Sequence, residues 1–318
     1  MDLVAEIKSV KPHLAEGSIK NYKISLQKLH ERMFGTKEIK NLKWLEDKDK
    51  ILEALKDYKP TTKRNYLNSI IVFIQAHTDK FASTDYFKKY TEVRDEINQD
   101  LRDKASSGEK TDKQKENWIT ADEYDDILST YKKYFSKNKI FSKDIDGDDI
   151  RLLQEFALLK LYQQIPSRND FATIKVISPR EYQKIKKDEL TENYLITDRD
   201  KYFFIINSWK TKKDENDRRR IDVPADIKKV LKLLIAKQKG NYLFTNKNGT
   251  PLKRNGLTKY LQAIFHKFHP NKSVSSSMLR HIYLTDKYGK VKEEMKKDAE
   301  LLAHSSGTQG QYIKDKVD

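Results

Sequence analysis

A polar segment from Asp103 to Asn117 constrains the fold of this chain more than any other feature. Its only apolar residue is Ala105, and the rest is charged or is Ser, Gly, Thr, Gln and Asn. Regular hydrophobic periodicity stops before the segment and restarts at Trp118, which indicates a linker. We therefore predict two domains, residues 1–102 and 118–318, joined by a linker over residues 103–117. A long surface loop within one domain is the alternative.

The first hundred residues show the periodicity of α-helices. Apolar residues recur three or four positions apart after Ser18, which is placed as an N-cap, and Gly35 follows as a stop signal. The same reasoning predicts three further helices: a short one around Ile51 to Leu55, one capped by Thr61 or Thr62, and one from about Thr84. The first domain is therefore expected to be wholly helical.

The second domain combines helices with a few strands. Thr120 and Glu123 form a capping-box pattern, and the apolar helix from Ile150 to Gln164 is expected to be central and buried. Strands are predicted at Thr173 to Ser178, Tyr202 to Ser208 and Arg220 to Val223, and helices after Pro224, from Arg254 to Phe268 and from Ser275 onward. The predicted fold class is therefore mainly α with a small β-sheet, an α+β domain behind a helical one.

The charge balance points to a polyanionic partner. Lysine and arginine outnumber aspartate and glutamate by 64 to 48, which gives a net charge of +16. A positive field of this size gathers polyanions, with nucleic acid as the first candidate and an anionic membrane surface as the second. A lysine-rich composition inherited from an AT-rich genome is the bland alternative.

Several classes of chemistry are excluded or left without support. The chain has no cysteine, so it forms no disulfide, zinc–thiolate site or thiol nucleophile, and an intracellular location is expected. No apolar run reaches the roughly 20 residues that span a bilayer, and the N-terminus lacks the apolar core of a signal peptide. The acids around Asp144 to Glu155 fail the spacing of a calcium loop, because Asp149 stands where glycine is needed. There is no phosphate-cradling loop and no paired-histidine motif, so no cofactor and no metal are expected, although dispersed carboxylates stay open.

Two segments of the second domain carry basic residues that suit phosphate chemistry. Arg168 follows the buried helix and precedes a strand, where a guanidinium at the edge of a cleft can grip a phosphate with two hydrogen bonds. Lys210 and Lys212 lie in a charged turn between two predicted strands, where a lysine can enter a DNA groove. The alternatives are a surface salt bridge for Arg168 and a solvated basic turn for the lysines.

Two further segments lie near the C-terminus. The first is Ser277-Met278-Leu279-Arg280-His281, and the second is Leu302-Ala303-His304-Ser305-Ser306, with Tyr312 eight residues after His304. Taken alone, a tyrosine so close to a chain end is usually a surface or docking residue.

Together these segments resemble the tyrosine recombinase (phage integrase) family, and their order along the chain is that of the family. In that family an arginine follows a buried helix, a lysine lies on a β-hairpin, an HxLRH-like segment supplies a second arginine, and a GHS-like segment precedes the nucleophile. The matching positions here are Arg168, Lys210, Arg280, His304 and Tyr312. The N-terminal part resembles the helical core-binding domain with which these enzymes clamp DNA. The segment KQKENW, ahead of the second domain, is similar to recombinases of large DNA viruses and their satellites.

The chain departs from the family pattern at three places. Ser277 stands where the family usually has histidine, and a hydroxyl can donate a hydrogen bond to a phosphate but cannot act as an imidazole acid or base. Ala303 replaces the glycine before the GHS-like histidine. Phe171 occupies the position of an acid three residues after the first arginine, where Asp170 is the candidate substitute.

The resemblance implies strand cleavage through a covalent link between Tyr312 and a 3′-phosphate of double-stranded DNA. It implies that Arg168 and Arg280 hold the phosphate and that His304 and Ser277 donate hydrogen bonds to it. The resemblance also implies that Lys210, or Lys212 as second choice, protonates the leaving oxygen. A homotetramer on two DNA sites is expected, without a membrane, a small-molecule substrate, a metal or ATP. The alternatives are a type IB topoisomerase and a DNA-binding protein that has lost catalysis. Only six residues follow Tyr312, so a family-like C-terminal tail is either lacking or cut short.

Overall fold

The structure, a computed structural model, consists of two compact units, Met1–Glu109 and Lys110–Asp318. It describes residues 2–77, 81–199, 201–209, 211–212, 214, 217–238, 240–305, 308–309 and 312–313. Over these ranges the chain is mainly helical with one small sheet, which confirms the predicted fold class. Within them, no helix combines the length and the apolar character that crossing a membrane requires.

The N-terminal unit is built from helices over its described residues. They are α1 (Leu3–Val10), α2 (Glu16–Phe34), α3 (Lys48–Ala54), α4 (Pro60–His77) and α5 (Asp85–Ser106). Their apolar faces meet in one core, in which Ile7, Leu26 and Phe73 are fully buried. Tyr90 of α5 is also fully buried, and its hydroxyl donates a hydrogen bond to the Leu45 carbonyl at 2.9 Å, so its polar end is satisfied within the core.

The helix starts in this unit differ in detail from the sequence prediction. Ser18 is not the N-cap of α2, because the helix already begins after Ala15 and Ser18 lies inside it. Gly35 does end α2, with φ of 73°, a left-handed conformation that costs glycine little. Helix α4 begins at Pro60 rather than after Thr61 or Thr62, since proline suits a first turn where no N–H is needed.

The C-terminal unit contains seven further described helices. They are α6 (Asp112–Asn117), α7 (Ala121–Lys137), α8 (Gly147–Gln164), α9 (Pro179–Lys184), α10 (Ala225–Lys237), α11 (Lys253–His266) and α12 (Ser276–Leu301). The predicted capping box of α7 is present, with Thr120 and Glu123 bonding each other's backbone N–H groups. Helix α8 starts three residues before the predicted Ile150, because the Asp146 side chain accepts hydrogen bonds from two backbone N–H groups of the first turn.

The predicted linker over residues 103–117 contains helix at both ends. Helix α5 continues to Ser106, and α6 starts at Asp112 under a capping box formed by Thr111 and Gln114. Because α6 has almost no apolar face, hydrophobic periodicity gives no sign of it, and only the capping residues do. Residues 107–111 between the two helices are exposed.

A four-stranded mixed sheet lies in the C-terminal unit. Its strands are β1 (Lys175–Ile177), β2 (Tyr194–Asp198), β3 (Lys201–Ile206) and β4 (Arg219–Asp222), in the order β1-β2-β3-β4. Strand β1 runs parallel to β2, while β2, β3 and β4 are antiparallel. Three strands were predicted, but β2 was not, because its first three residues are all buried and show no alternation.

Helix α8 lies at the centre of the second core, as its all-round apolar sequence predicts. Leu153, Ala157, Leu158 and Leu161 are fully buried and belong to a cluster that includes residues of α7, α10, α11, α12 and the sheet. This rigid central helix fixes the position of the turn that follows its C-terminal end.

Candidate functional site

Arg168 lies in a tightly bonded turn just after α8. Its own carbonyl accepts two hydrogen bonds at 2.8 Å, one from the Tyr162 hydroxyl and one from the Ser167 hydroxyl. The next residues form a short 3-10 helix, Asn169–Thr173, which is anchored by the buried side chains of Phe171 and Ala172. Burial raises the pKa of Tyr162, so this tyrosine is a neutral donor that fixes the backbone of Arg168.

Arg280 lies in the first turns of α12. Ser275 caps this helix by accepting a hydrogen bond from the Met278 N–H, and Met278 and Leu279 are buried on the inner face. Arg280 Nη2 is 3.4 Å from Ser277 Oγ, a long hydrogen bond on the same helix face. Burial, and next the charge of Arg168, lower the pKa of Arg280, so the two guanidiniums lie within electrostatic reach of each other.

Asp170 is the acidic member of this group. Its side chain is only 13% exposed, and its carboxylate is 3.8 Å from Arg254 Nη2. Burial raises the pKa of Asp170, against the opposing effect of the positive charges of Arg254, Arg168, Arg219 and Arg280. Arg254 is within ion-pair distance of the Asp170 carboxylate, and the charges of the other three arginines act on it as well, so positive charge exceeds negative charge in this group.

Of the two candidate lysines, only Lys212 lies among the described residues, and Lys210 lies outside them. Lys212 donates a hydrogen bond from Nζ to the Asn207 carbonyl at 2.8 Å and lies 5.6 Å from the ring centroid of Trp209. The Lys212 ammonium is thus held against the end of β3, beside the same tryptophan on which Arg219 stacks at 4.5 Å.

His304 and Tyr312 form a second group. Their rings stack, with centroids 5.6 Å apart and planes 26° apart, and Tyr312 is 71% exposed. The residue before His304, Ala303, has φ of 54°, a left-handed conformation that glycine adopts with less strain than alanine. The His304 N–H donates to the Ala299 carbonyl at 3.0 Å, which ties this turn to the end of α12.

The structure therefore brings Arg168, Arg280 and Ser277 together and places His304 with Tyr312. In the described part of the chain, no hydrogen bond, ion pair or ring contact joins the two groups. Sequence reasoning missed Arg254 and Arg219 as members of the arginine group. No local pattern announces them, because one opens a helix and the other belongs to a basic run in β4, and only the fold brings them to Asp170.

The arginine group is suited to binding a phosphate. Each guanidinium presents N–H donors in a planar fork that matches two phosphate oxygens. Arg280 Nε is buried, and among the described residues no hydrogen-bond partner is found for it. The N-terminus of the 26-residue helix α12 adds a partial positive charge close to Arg280. These groups together can stabilise a phosphate oxyanion without further charge from the protein.

Comparison with known proteins adds little beyond these observations. No protein-family model and no curated protein matches the chain. Among solved structures, the crystal structure of XerA recombinase is similar over 99% of this chain and 95% of that chain, with 13% sequence identity and a TM-score of 0.35. So low a score supports no functional conclusion, and the resemblance of KQKENW to viral recombinases stays a prediction.

Proposed function

We propose that this protein is a site-specific DNA recombinase or integrase of the tyrosine recombinase family. The observation that carries the proposal is the convergence of Arg168 and Arg280, which come from separate elements and lie within electrostatic reach around Asp170. The sequence predicted these two arginines as a pair from the family order alone. Double-stranded DNA is the proposed partner, and the net charge of +16 favours it. The proposed setting is intracellular, where such DNA is found.

The proposed chemistry is a reversible transfer of a phosphate from DNA to the enzyme. The phenolic oxygen of Tyr312 attacks the phosphorus, the bond from phosphorus to the 5′-oxygen breaks, and a 3′-phosphotyrosine forms. The phenolic proton passes to water, and the leaving 5′-oxygen receives a proton to become a hydroxyl. Attack by a 5′-hydroxyl reverses these steps, so the bond energy stays in the covalent intermediate and no ATP is consumed.

Arg168 and Arg280 act on the transition state in this proposal. Their N–H groups bind the two non-bridging oxygens, on which negative charge grows as the phosphorus becomes five-coordinate. A preorganised donor of this kind is worth about 3–4 kcal/mol, so loss of either arginine lowers the cleavage rate by about 100- to 1000-fold. His304 and Ser277 donate hydrogen bonds to the same phosphate. Lys210 serves as the general acid, with Lys212 as the alternative.

Tyr312 has to approach the arginine group for this reaction. The described contacts leave it stacked on His304 and 71% exposed. We propose that DNA binding and assembly bring the nucleophile to the phosphate, either within one copy or between copies of a homotetramer on two DNA sites. Apo-state geometry at catalytic groups is often looser than in the complex with substrate.

A nicked suicide duplex tests the proposal. When the fragment carrying the 5′-hydroxyl diffuses away, the cleaved strand stays attached to the protein and a slower band appears on a denaturing gel. We expect this adduct with the wild type and its complete loss in Tyr312→Phe, which keeps the ring and lacks the hydroxyl. Adduct formation undiminished in Tyr312→Phe overturns the assignment. Site-independent relaxation of supercoiled plasmid would instead identify a type IB topoisomerase.

A DNA-binding protein without cleavage is the second candidate function. The described ring contact of Tyr312 is with His304 and the described hydrogen bond of Arg280 is with Ser277, and this favours the second candidate, together with Ser277 at the usual histidine position. Salt-sensitive DNA binding with no adduct on any nicked duplex would support this candidate.

A further inference from the structure

The two arginines that sequence reasoning missed extend the phosphate site beyond a single phosphate. Arg254 Nη2 lies 3.8 Å from the Asp170 carboxylate. Asn193 donates hydrogen bonds to the Asp170 and Ser208 carbonyls at 3.2 and 3.1 Å, so Trp209 and the Arg219 guanidinium stacked on it come close to the same turn. The charges of both arginines act on Asp170, as do those of Arg168 and Arg280. A single scissile phosphate offers two non-bridging oxygens, which one pair of guanidiniums satisfies. A second pair in the same place therefore calls for a different role.

Arg254 is held in place by the turn that carries Arg168. Asn169, the residue after Arg168, donates from Nδ2 to the Arg254 carbonyl at 2.8 Å and to Thr258 Oγ1 at 2.7 Å. Lys253, immediately before Arg254, has φ of 53°, a left-handed conformation that strains a non-glycine residue. This strained start of α11 and the bonds from Asn169 fix Arg254 relative to Arg168.

Asp170 does not fully neutralise the positive charge of Arg254. Their closest approach of 3.8 Å is at the outer limit of an ion pair, and the Arg254 side chain is 52% exposed. Its guanidinium therefore keeps N–H groups directed to solvent, where a second anion can approach.

Arg219 comes from the sheet and is held by an aromatic ring. Its guanidinium lies 4.5 Å from the ring centroid of Trp209, and the residue is exposed. Stacking uses the face of a guanidinium and leaves the N–H edge for hydrogen bonds. In the strand pairing Arg219 stands beside Ile206, the last residue of β3, so the sheet sets its position.

We propose that Arg254 and Arg219 bind the phosphates that flank the scissile phosphate on the DNA strand. Asp170 is then the shared counter-charge that lets four guanidiniums lie close together before DNA arrives. Arg168 and Arg280 hold the reacting phosphate, and Arg254 and Arg219 set the register of the strand across it. This assignment rests on the proposed function, because it takes the scissile phosphate as its reference point.

Salt dependence of DNA binding gives the first test. A protein that loses one phosphate contact shows a slope of log affinity against log salt that is smaller by about one. Binding of a fluorescein-labelled 30-base-pair duplex is measured by anisotropy over a range of KCl concentrations. We expect Arg254→Gln and Arg219→Gln each to lower the slope by about one and to weaken binding about tenfold at low salt. Arg254→Lys, which keeps the charge, retains the slope.

Arg180 supplies the matched control. It is an exposed arginine of α9 in the same unit, outside the arginine group. We expect Arg180→Gln to leave the slope unchanged. Thermal unfolding of each variant checks folding, and the charge-retaining Arg254→Lys separates loss of the contact from loss of the fold. An unchanged slope in both Arg254→Gln and Arg219→Gln overturns the assignment.

Neutral phosphate analogues locate the contacts. On a duplex that yields the Tyr312 adduct, methylphosphonate replaces one phosphate at a time beside the cleaved bond. We expect the wild type to bind more weakly to duplexes that carry the analogue at a contacted phosphate. Each variant, Arg254→Gln or Arg219→Gln, should be insensitive to the analogue at the phosphate that its missing arginine contacts. Equal sensitivity of wild type and variants at every flanking position overturns the assignment. Absence of any wild-type adduct overturns strand cleavage itself, which is a different result from normal adducts with unchanged slopes.

Discussion

The Arg280 side chain is partly buried and still has N–H groups available to bind a ligand. Its Nε is buried and lacks a hydrogen-bond partner among the described residues, while Nη2 makes only a 3.4 Å contact to Ser277. A buried donor without a partner costs about 1–3 kcal/mol, and a functional role, in which a ligand completes the bond, is one reason for a protein to keep such a donor. The proposed phosphate is such a ligand.

The Ser277 hydroxyl is expected to contribute to the rate of strand cleavage. Ser277→Ala removes the hydroxyl that accepts the hydrogen bond from Arg280 and that is proposed to contact phosphate. Because one neutral hydrogen bond contributes about 1 kcal/mol, we expect adduct formation to slow about fivefold. Single-turnover cleavage of the nicked duplex measures the rate. A loss as large as that of Arg280→Ala would contradict a merely supporting role.

Asp170 gives the C-terminal unit a pH-dependent stability. Its pKa in the fold is raised, first because it is buried, and the nearby arginines offset this only in part. The native state therefore holds the proton more tightly than the unfolded chain, whose aspartates titrate near about 3.9. This contribution to stability is fully present below the unfolded pKa and is lost as pH rises through the folded pKa.

Asp170→Asn removes that titration. From pH 3.5 upward, we expect the free energy of unfolding of the wild type to fall relative to that of the variant. Urea unfolding at pH 3.5, 5 and 7 measures both proteins, and all other titrating groups cancel in the difference. Parallel curves for wild type and variant would contradict a raised pKa at Asp170.

Helices α8 and α11 are joined by an ion pair between a buried carboxylate and a partly exposed lysine. The Glu155 side chain of α8 is 3% exposed, accepts a hydrogen bond from the Tyr131 hydroxyl at 2.7 Å, and pairs with Lys267, which caps α11, at 2.6 Å. This pair supports α8, which the turn of Arg168 follows, and α11, which carries Arg254.

Lys267→Ala leaves the Glu155 carboxylate buried without its counter-charge. Removing one partner of a buried pair costs about 3–5 kcal/mol, and since the Lys267 side chain is 42% exposed we expect the lower end of that range. Urea unfolding followed by tryptophan fluorescence gives the value. The double variant Glu155→Leu with Lys267→Met should recover much of the loss, and an equal loss in the double variant would exclude the ion pair as the cause.

Helix α12 determines where the pair of His304 and Tyr312 lies. Its central part leaves Leu284, Tyr288 and Val291 about half exposed, and Gly289 lies within this stretch. A Cβ added at Gly289 would meet the Thr285 methyl group at 3.7 Å, an ordinary contact.

Gly289→Ala is expected to stabilise the protein by about 0.5–1 kcal/mol, because glycine inside a helix loses more backbone entropy than alanine. Chemical unfolding followed by circular dichroism measures the change. Lys290→Ala, at the next position, serves as control and should change the stability by less than about 0.5 kcal/mol. A destabilised Gly289→Ala would show that α12 is not a regular helix there in solution.

At the scale of the whole molecule, each unit has its own core, and the exposed residues 107–111 lie between α5 and α6. Exposed backbone outside helices and strands is the preferred site of proteolysis. We expect brief trypsin treatment to cut first after Lys110, which lies in this exposed segment, and to leave two protected fragments. Mass spectrometry of the fragments identifies the cut, and first cleavage within α8 or the sheet would contradict two separately folded domains.

The sequence predicted the parts of this fold that depend on local physics. Periodicity and capping residues gave the helices α7, α8 and α12 and the end of α2 at Gly35, because each depends on residues a few positions apart. The same reasoning missed α6, which has almost no apolar face, and β2, which is buried without alternation.

The net charge of +16 and the order of residues from Arg168 to Tyr312 are also read directly from the sequence. Which guanidiniums lie together depends on the packing of distant segments and cannot be read from the sequence. Arg254 and Arg219 join Arg168 and Arg280 around Asp170 because the packing of α11 and the sheet against α8 brings distant positions to one place. Local patterns carry no information about such contacts, because they are set by the burial of apolar surface elsewhere in the core.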